Sequence, residues 1–113
     1  MFRRQHNIFS AMNSTFEASP DRLSIHLTGD LIGGADAMKF AVLLRESLAD
    51  KKLKRVEVDA SGVGFVNSSG LGMLIAARQA AQEHGAEFKL REPGDQLKSL
   101  LNVTKLTEIL GAV

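Results

Sequence analysis

Cysteine is absent from this chain of 113 residues. Its absence excludes a disulfide framework, a thiolate metal site and thiol-based catalysis. A strong charge of either sign is missing as well, because 14 Lys and Arg stand against 13 Asp and Glu, a formal net charge of +1 at pH 7. We therefore expect no binding to nucleic acid, and partner choice must come from shape and local contacts.

Long apolar runs are also lacking. The first residues, Met1 to Arg4, continue into polar residues without the unbroken apolar core of a signal peptide. No later run approaches the roughly 20 apolar residues that are needed to cross a bilayer. These absences predict a cytoplasmic protein with no direct membrane insertion.

The size and composition that remain are typical of one globular domain, since 44% of the residues are hydrophobic. Residues 1–13 show neither a helical nor a strand period, and we interpret them as a flexible N-terminal arm. Residues 14–113 are predicted to form the domain itself.

Alternating apolar and polar residues predict strands, and apolar residues at helical spacing predict helices between them. The predicted strands lie around 15–17 and at 23–28, 56–59 and 87–90. The predicted helices are 35–50, about 70–84 and a short one near Leu97, with a final turn or two near Leu106. Gly29 is expected to end the second strand, and residues 60–69 are expected to form a loop.

The order of these elements indicates the fold class. A strand, a crossover helix and a second strand between residues 23 and 59 should place the two strands in parallel. We expect an α/β fold in which a mixed sheet of about four strands packs against helices.

The turn Asn67-Ser68-Ser69-Gly70 is the one segment that suggests chemistry. A helix start has unpaired N–H groups and the positive end of the dipole, so a phosphate on Ser68 would be stabilised there. Gly70 and Gly72 carry no side chain that would hinder a partner's active site. The residues alone, however, favour a simpler interpretation in which Asn67, Ser68 or Ser69 caps the helix.

Other polar residues favour structural roles. Asp59 follows a strand and more often bonds backbone amides than serves as a catalytic acid or metal ligand. His6, His26 and His84 show no metal-ligand spacing, and His84 at a helix end is expected to interact with the helix dipole. No glycine fingerprint for phosphate binding and no paired nucleophile and base are found, so we expect no cofactor, no metal and no enzyme.

The segment from Val56 to Leu74, VEVDASGVGFVNSSGLGML, resembles the signature of STAS (sulfate transporter and anti-sigma antagonist) domains of the anti-sigma-factor antagonist class. Residues 27–31 resemble the Gly-Glu-Leu turn of that family, and residues 103–106 resemble part of its C-terminal helices. The resemblance covers nearly the whole chain from about residue 14 and implies the STAS-type fold.

The resemblance also implies a function. In that family an anti-sigma factor that is a serine kinase phosphorylates the serine that corresponds to Ser68, and a serine phosphatase resets it. The unphosphorylated form binds the kinase, and the phosphorylated form is released. Asn67, Ser69 and Gly70, together with Leu71, Gly72 and Met73, are then expected to contact the partner. From the residues alone, Met73 could equally belong to the core.

Two positions depart from the family pattern. Asn67 stands where the family usually has Asp, which keeps the capping ability but removes a charge that nucleotide or phosphatase contacts could use. Ile32 stands where many antagonists have Asp and makes that loop more apolar.

An alternative function is a constitutive STAS subunit of a membrane-associated lipid-transport complex, in which Ser68 and Ser69 only cap the helix.

Overall fold

The structure is a computed structural model that describes residues 11–49 and 52–113. The strands are β1 (Met12–Ala18), β2 (Arg22–Leu31), β3 (Arg55–Val66) and β4 (Glu87–Arg91), and the helices are α1 (Ala35–Leu48), α2 (Ser68–Glu83) and α3 (Asp95–Thr104). The strands lie in the order β1-β2-β3-β4. β1 is antiparallel to β2, whereas β2, β3 and β4 are parallel. The predicted α/β fold with a four-stranded mixed sheet is confirmed.

One face of the sheet is apolar and is covered by α1 and α2. Alternation along β2 buries Leu23, Ile25 and Leu27, as its period predicts. Helix α1 packs Phe40 against this face, where its ring lies 5.6 Å from that of Phe16 in β1. Each fully buried side chain of this size stabilises the fold by about 1.5–3 kcal/mol. This packing fixes the ends of the strands relative to the start of α2.

The opposite face carries polar and charged side chains. His26 is exposed there, as predicted, and its Nδ1 lies 3.2 Å from Asp59 Oδ2. The backbone N–H of Ser61 donates to Asp59 Oδ1 at 2.9 Å, and this hydrogen bond is the main reason that the pKa of Asp59 is lowered. The structural interpretation of Asp59 is therefore confirmed.

The first strand begins earlier than the sequence predicted. Met12 and Asn13 belong to β1 rather than to an arm, because they pair with Gly29 and Thr28 of β2 and Met12 is buried. The prediction of a flexible arm otherwise concerns residues 1–10, which lie outside the described residues.

The predicted loop 60–69 is wrong. Strand β3 continues to Val66, and β2 continues through Gly29 to Leu31, because each supplies the other with a parallel partner. The register shifts between Gly29 and Leu31, which is a bulge-like irregularity. Glycine and serine in this stretch suggest a loop locally, but ladder hydrogen bonds between distant residues override that preference.

The helices lie close to their predicted ranges. Helix α2 begins two residues earlier than expected, and His84 follows it with Nδ1 2.9 Å from the carbonyl oxygen of Ala80, which agrees with its expected place at the helix end. After α3 the chain turns, and Ala112 forms a bridge beside Leu90 of β4. Within residues 11–49 and 52–113, no helix is both long and apolar enough to span a membrane.

Candidate functional site

Asn67 caps helix α2, and neither serine does. The backbone of Asn67 is extended, and its Oδ1 accepts a hydrogen bond from the N–H of Gly70 at 2.9 Å. Ser68 and Ser69 are the first two residues of the helix. The interpretation in which either hydroxyl serves as the cap is therefore wrong, because the capping position is already occupied by an amide side chain.

The hydroxyl of Ser68 is free and accessible. Ser68 and Ser69 are both exposed, and among the described residues neither side chain has a hydrogen-bond partner. Their backbone N–H groups precede the first intrahelical bond, which runs from the N–H of Leu71 to the carbonyl oxygen of Asn67 at 2.9 Å. An anion on Ser68 would thus lie at the positive end of the helix dipole.

Two glycines of this helix have different roles. A Cβ on Gly70 would collide with the carbonyl oxygen of Leu31, so Gly70 allows α2 to pack closely on the end of β2. Its absent side chain therefore serves packing rather than the access that the sequence suggested. Gly72 is exposed, and a Cβ there would meet open space. Of these two glycines, only Gly72 leaves the surface beside Ser68 without a protruding side chain.

Three of the residues predicted to contact a partner are buried in this structure. Gly70, Leu71 and Met73 have little accessible surface, and Met73 belongs to the same buried core as Phe40 of α1. The open question about Met73 is thus decided in favour of the core. Asn67, Ser69 and Gly72 remain accessible, although a partner contact through them is still a prediction.

The chain that follows β2 lies directly beside the start of α2. We call residues 32–34 the β2–α1 loop. The carbonyl oxygen of Leu31 accepts a hydrogen bond from the N–H of Asn67 at 3.1 Å, and that of Ile32 accepts one from Asn67 Nδ2 at 3.4 Å. One side chain therefore caps the helix and holds this loop at the same time.

Two further side chains hold the end of β3, and sequence reasoning missed both. Gln96 of α3 accepts from the N–H of Val66 at 2.9 Å and donates to its carbonyl oxygen at 3.2 Å. Asp30 accepts from the N–H of Phe65 at 3.0 Å. These contacts join residues that are 30 and 35 positions apart, and no local pattern signals such pairs.

A separate group of titratable side chains lies within the sheet, where His26 is paired with Asp59. His26 and Asp59 are on the polar face of the sheet, where His26 Nε2 is also 3.6 Å from Glu17 Oε1. Within the described part of the chain, no group of three His, Asp or Glu side chains is arranged to hold a metal ion. His6 lies outside the described residues.

The chain matches a known family over most of its length. The family described as Mlab, STAS domain matches residues 14–111. The chain belongs to the STAS domain family. The expected resemblance is thereby confirmed for nearly the whole chain.

Several solved structures share this fold. The anti-sigma factor antagonist SpoIIAA in its unphosphorylated form is similar with a TM-score of 0.75 and 13% identity, covering 88% of this chain and 87% of that chain. An anti-sigma factor antagonist from Mycobacterium paratuberculosis has a TM-score of 0.72 and 19% identity, covering 89% and 84%. A sulfate transporter family protein from Wolinella succinogenes has a TM-score of 0.65 and 18% identity, covering 78% and 70%.

Proposed function

We propose that this STAS domain is an anti-sigma-factor antagonist that is switched by phosphorylation of Ser68. The main support is the arrangement at the start of α2. Asn67 caps the helix, and the Ser68 hydroxyl is exposed and has no hydrogen-bond partner among the described residues. The similarity to two anti-sigma factor antagonists supports the general kind of protein. Its partner would be an anti-sigma factor that is a serine kinase, and a serine phosphatase would reset it.

The switch follows from charge and solvation. A phosphate on Ser68 adds about two negative charges, which the helix N-terminus tolerates in the free chain. Inside a packed interface the same charges cost desolvation energy and repel acidic groups unless cations pair with them. The unphosphorylated chain would therefore bind the kinase, and the phosphorylated chain would be released. Because the proposed kinase uses ATP, the proposal includes the expected cytoplasmic location. Because the proposed partner is an anti-sigma factor, the proposal also includes a role in transcription regulation.

In this cycle we assign no catalytic activity to the chain itself. Among the described residues, no base is hydrogen-bonded to the hydroxyl of Ser68 or Ser69, as an activated nucleophile would require. Ser68 acts as the substrate of the partner, and the chain contributes the position and exposure of that hydroxyl.

The first experiment is mass analysis of the chain recovered from its native cells under two growth conditions, with peptide mapping. We expect one phosphate on Ser68 whose occupancy changes with the condition. Ser68→Ala should bind the cognate kinase without being released, and Ser68→Asp should bind more weakly. Equal affinity of the two variants, or a constant absence of phosphate, would contradict the proposal.

A second candidate is a constitutive STAS subunit of a membrane-associated, lipid-transport complex. The similarity to a sulfate transporter family protein favours it, because this fold also occurs in a protein of that description. In this case Ser68→Ala and Ser68→Asp should both assemble normally with the membrane-associated partner. Assembly measured by co-purification from membranes would separate the two candidates.

A further inference from the structure

The β2–α1 loop and the first turn of α2 form one continuous surface. Asn67 Nδ2 donates to the carbonyl oxygen of Ile32 at 3.4 Å. Gly33 lies against Ser69, since a Cβ on Gly33 would be 2.6 Å from Ser69 Cβ. The loop therefore contacts the helix start through its backbone and a glycine, which leaves its remaining side chain free to project elsewhere.

Ile32 carries the only side chain that this loop exposes. Leu31 is buried in the core, and Gly33 and Gly34 have no side chain. Ile32, in contrast, is 43% exposed although it is large and apolar. A single exposed isoleucine is ordinary on a protein surface, so exposure alone does not indicate a function for Ile32. A functional role depends on its position beside the start of α2, where Ser68 lies.

The surface on the helix side of Ser68 is small and polar. Ser69 and Gly72 are exposed, whereas Leu71 is buried. A protein that encloses the Ser68 hydroxyl thus meets Ile32 as the one large apolar side chain that the loop and this first turn expose. Burying an exposed apolar side chain at the centre of an interface removes it from water and stabilises the complex.

Phe65 is a second exposed apolar side chain near this turn, at 54% exposed. It precedes the buried Val66 in β3, just as Ile32 follows the buried Leu31, and Leu31 and Val66 are partners in the sheet. Phe65 lies in β3, outside the β2–α1 loop and the first turn of α2, so Ile32 is the exposed apolar side chain that belongs to these two segments.

We propose that Ile32 is a specificity-determining residue for phosphorylation of Ser68, and that the kinase has an apolar pocket beside the site that receives the hydroxyl. This inference rests on the proposed function. In the reaction, the bond between the γ-phosphorus of ATP and its bridging oxygen breaks, and a bond to Ser68 Oγ forms. The hydroxyl proton is released and ADP leaves. Ile32 takes no part in the bond changes and acts by holding the substrate in place.

The test uses the purified full chain, an extract of its native cells and added ATP, with phosphate on Ser68 measured by peptide mapping. Ile32→Ser should lower the initial rate at least about tenfold at low substrate concentration, because the apolar contact is lost. The rate at saturating substrate should change little, since a contact used for binding affects KM more than kcat. Ile32→Val should stay within about fourfold of the natural chain, since it removes one methylene.

Val103→Ser provides the matched control, because Val103 is 80% exposed on α3 and apolar. It should be phosphorylated at the natural rate, and all variants should melt at the same temperature. A natural rate for Ile32→Ser, or an equal loss for Val103→Ser, would overturn the role of Ile32 while the proposed function stands. If the natural chain takes up no phosphate on Ser68 in any growth condition, both the proposed function and this inference fail.

Discussion

The two ends of β3 are held by different kinds of interaction. Near its amino end, the carboxylate of Glu57 lies 3.3 Å from Arg55, 3.7 Å from Arg91 and 3.9 Å from Arg22. The Glu57 side chain is only 10% exposed, so these guanidinium groups compensate a charge that has lost much of its water. Charges at this end are thus matched with one another and bind the neighbouring strands together.

At the carboxyl end of the same strand, the side chains bond backbone groups rather than one another, through the amides of Gln96 and Asn67 and the carboxylate of Asp30. Gln96 and Asn67 hold Val66 and the β2–α1 loop. The hydroxyls of Ser68 and Ser69 take no part among the described residues. A functional group can therefore be kept free when other residues satisfy the backbone around it. Substitutions at the two ends of β3 should show which of these interactions hold the strand in place.

The largest effect is expected where α2 approaches β2. Gly70→Ala should lower the free energy of unfolding by about 1–3 kcal/mol, because the added methyl group collides with backbone that cannot move freely. Gly72→Ala is the matched control two residues away, and it should raise stability by roughly 0.5–1 kcal/mol, as Ala favours a helix over Gly. Urea unfolding measures both. Equal effects would mean that the close approach to Leu31 is not important.

The next effect concerns the ionic end of β3. Glu57→Gln should lower the free energy of unfolding by about 1–2 kcal/mol, because three half-exposed arginines lose their common partner. Glu87→Gln is the control, since within the described part of the chain Glu87 pairs with Arg55 alone and its side chain is 56% exposed. It should change stability by less than about 0.5 kcal/mol. Similar losses for the two variants in urea unfolding would show that burial of Glu57 does not matter.

The cap at the carboxyl end gives a somewhat smaller effect. Asn67→Ala should cost about 0.5–2 kcal/mol, because the N–H of Gly70 loses its acceptor. Asn67→Asp keeps that acceptor and adds a charge at the favourable end of the helix dipole, although it loses the donor to Ile32. We expect its melting temperature to be close to that of the natural chain. If both variants melt equally early, the hydrogen bond to Ile32 matters more than the cap.

The smallest effect depends on pH. Because the pKa of Asp59 is lowered in the folded chain, its ionised form contributes stability above the unfolded-state pKa, and this is lost as the pH falls through the folded-state pKa. Asp59→Asn should therefore be less stable than the natural chain at pH 7, by under about 1 kcal/mol. The difference should shrink below about pH 4, where the carboxylate becomes protonated. A difference that grows on acidification would reverse the assigned direction.

Local sequence patterns predicted the strands and helices because burial repeats with their periods. Alternation along β2 and the apolar spacing of α1 placed the start of β2 and both ends of α1 within two residues of those observed, although β2 runs past the predicted end at Gly29. The same reasoning failed for residues 60–66, where glycine and serine suggest a loop. There, pairing with β2 decides the conformation, and the partner residues are more than 30 positions away.

The sequence by itself determined the architecture, the family and the presence of two serines at a helix start, since each rests on period, spacing or a contiguous motif. Only the tertiary structure decided that Asn67 is the cap, that Gly70 serves packing and that Met73 is buried. It also brought Asp30 and Gln96 to the end of β3. The reason is physical, because these roles arise from contacts between segments whose approach is set by burial of the whole core.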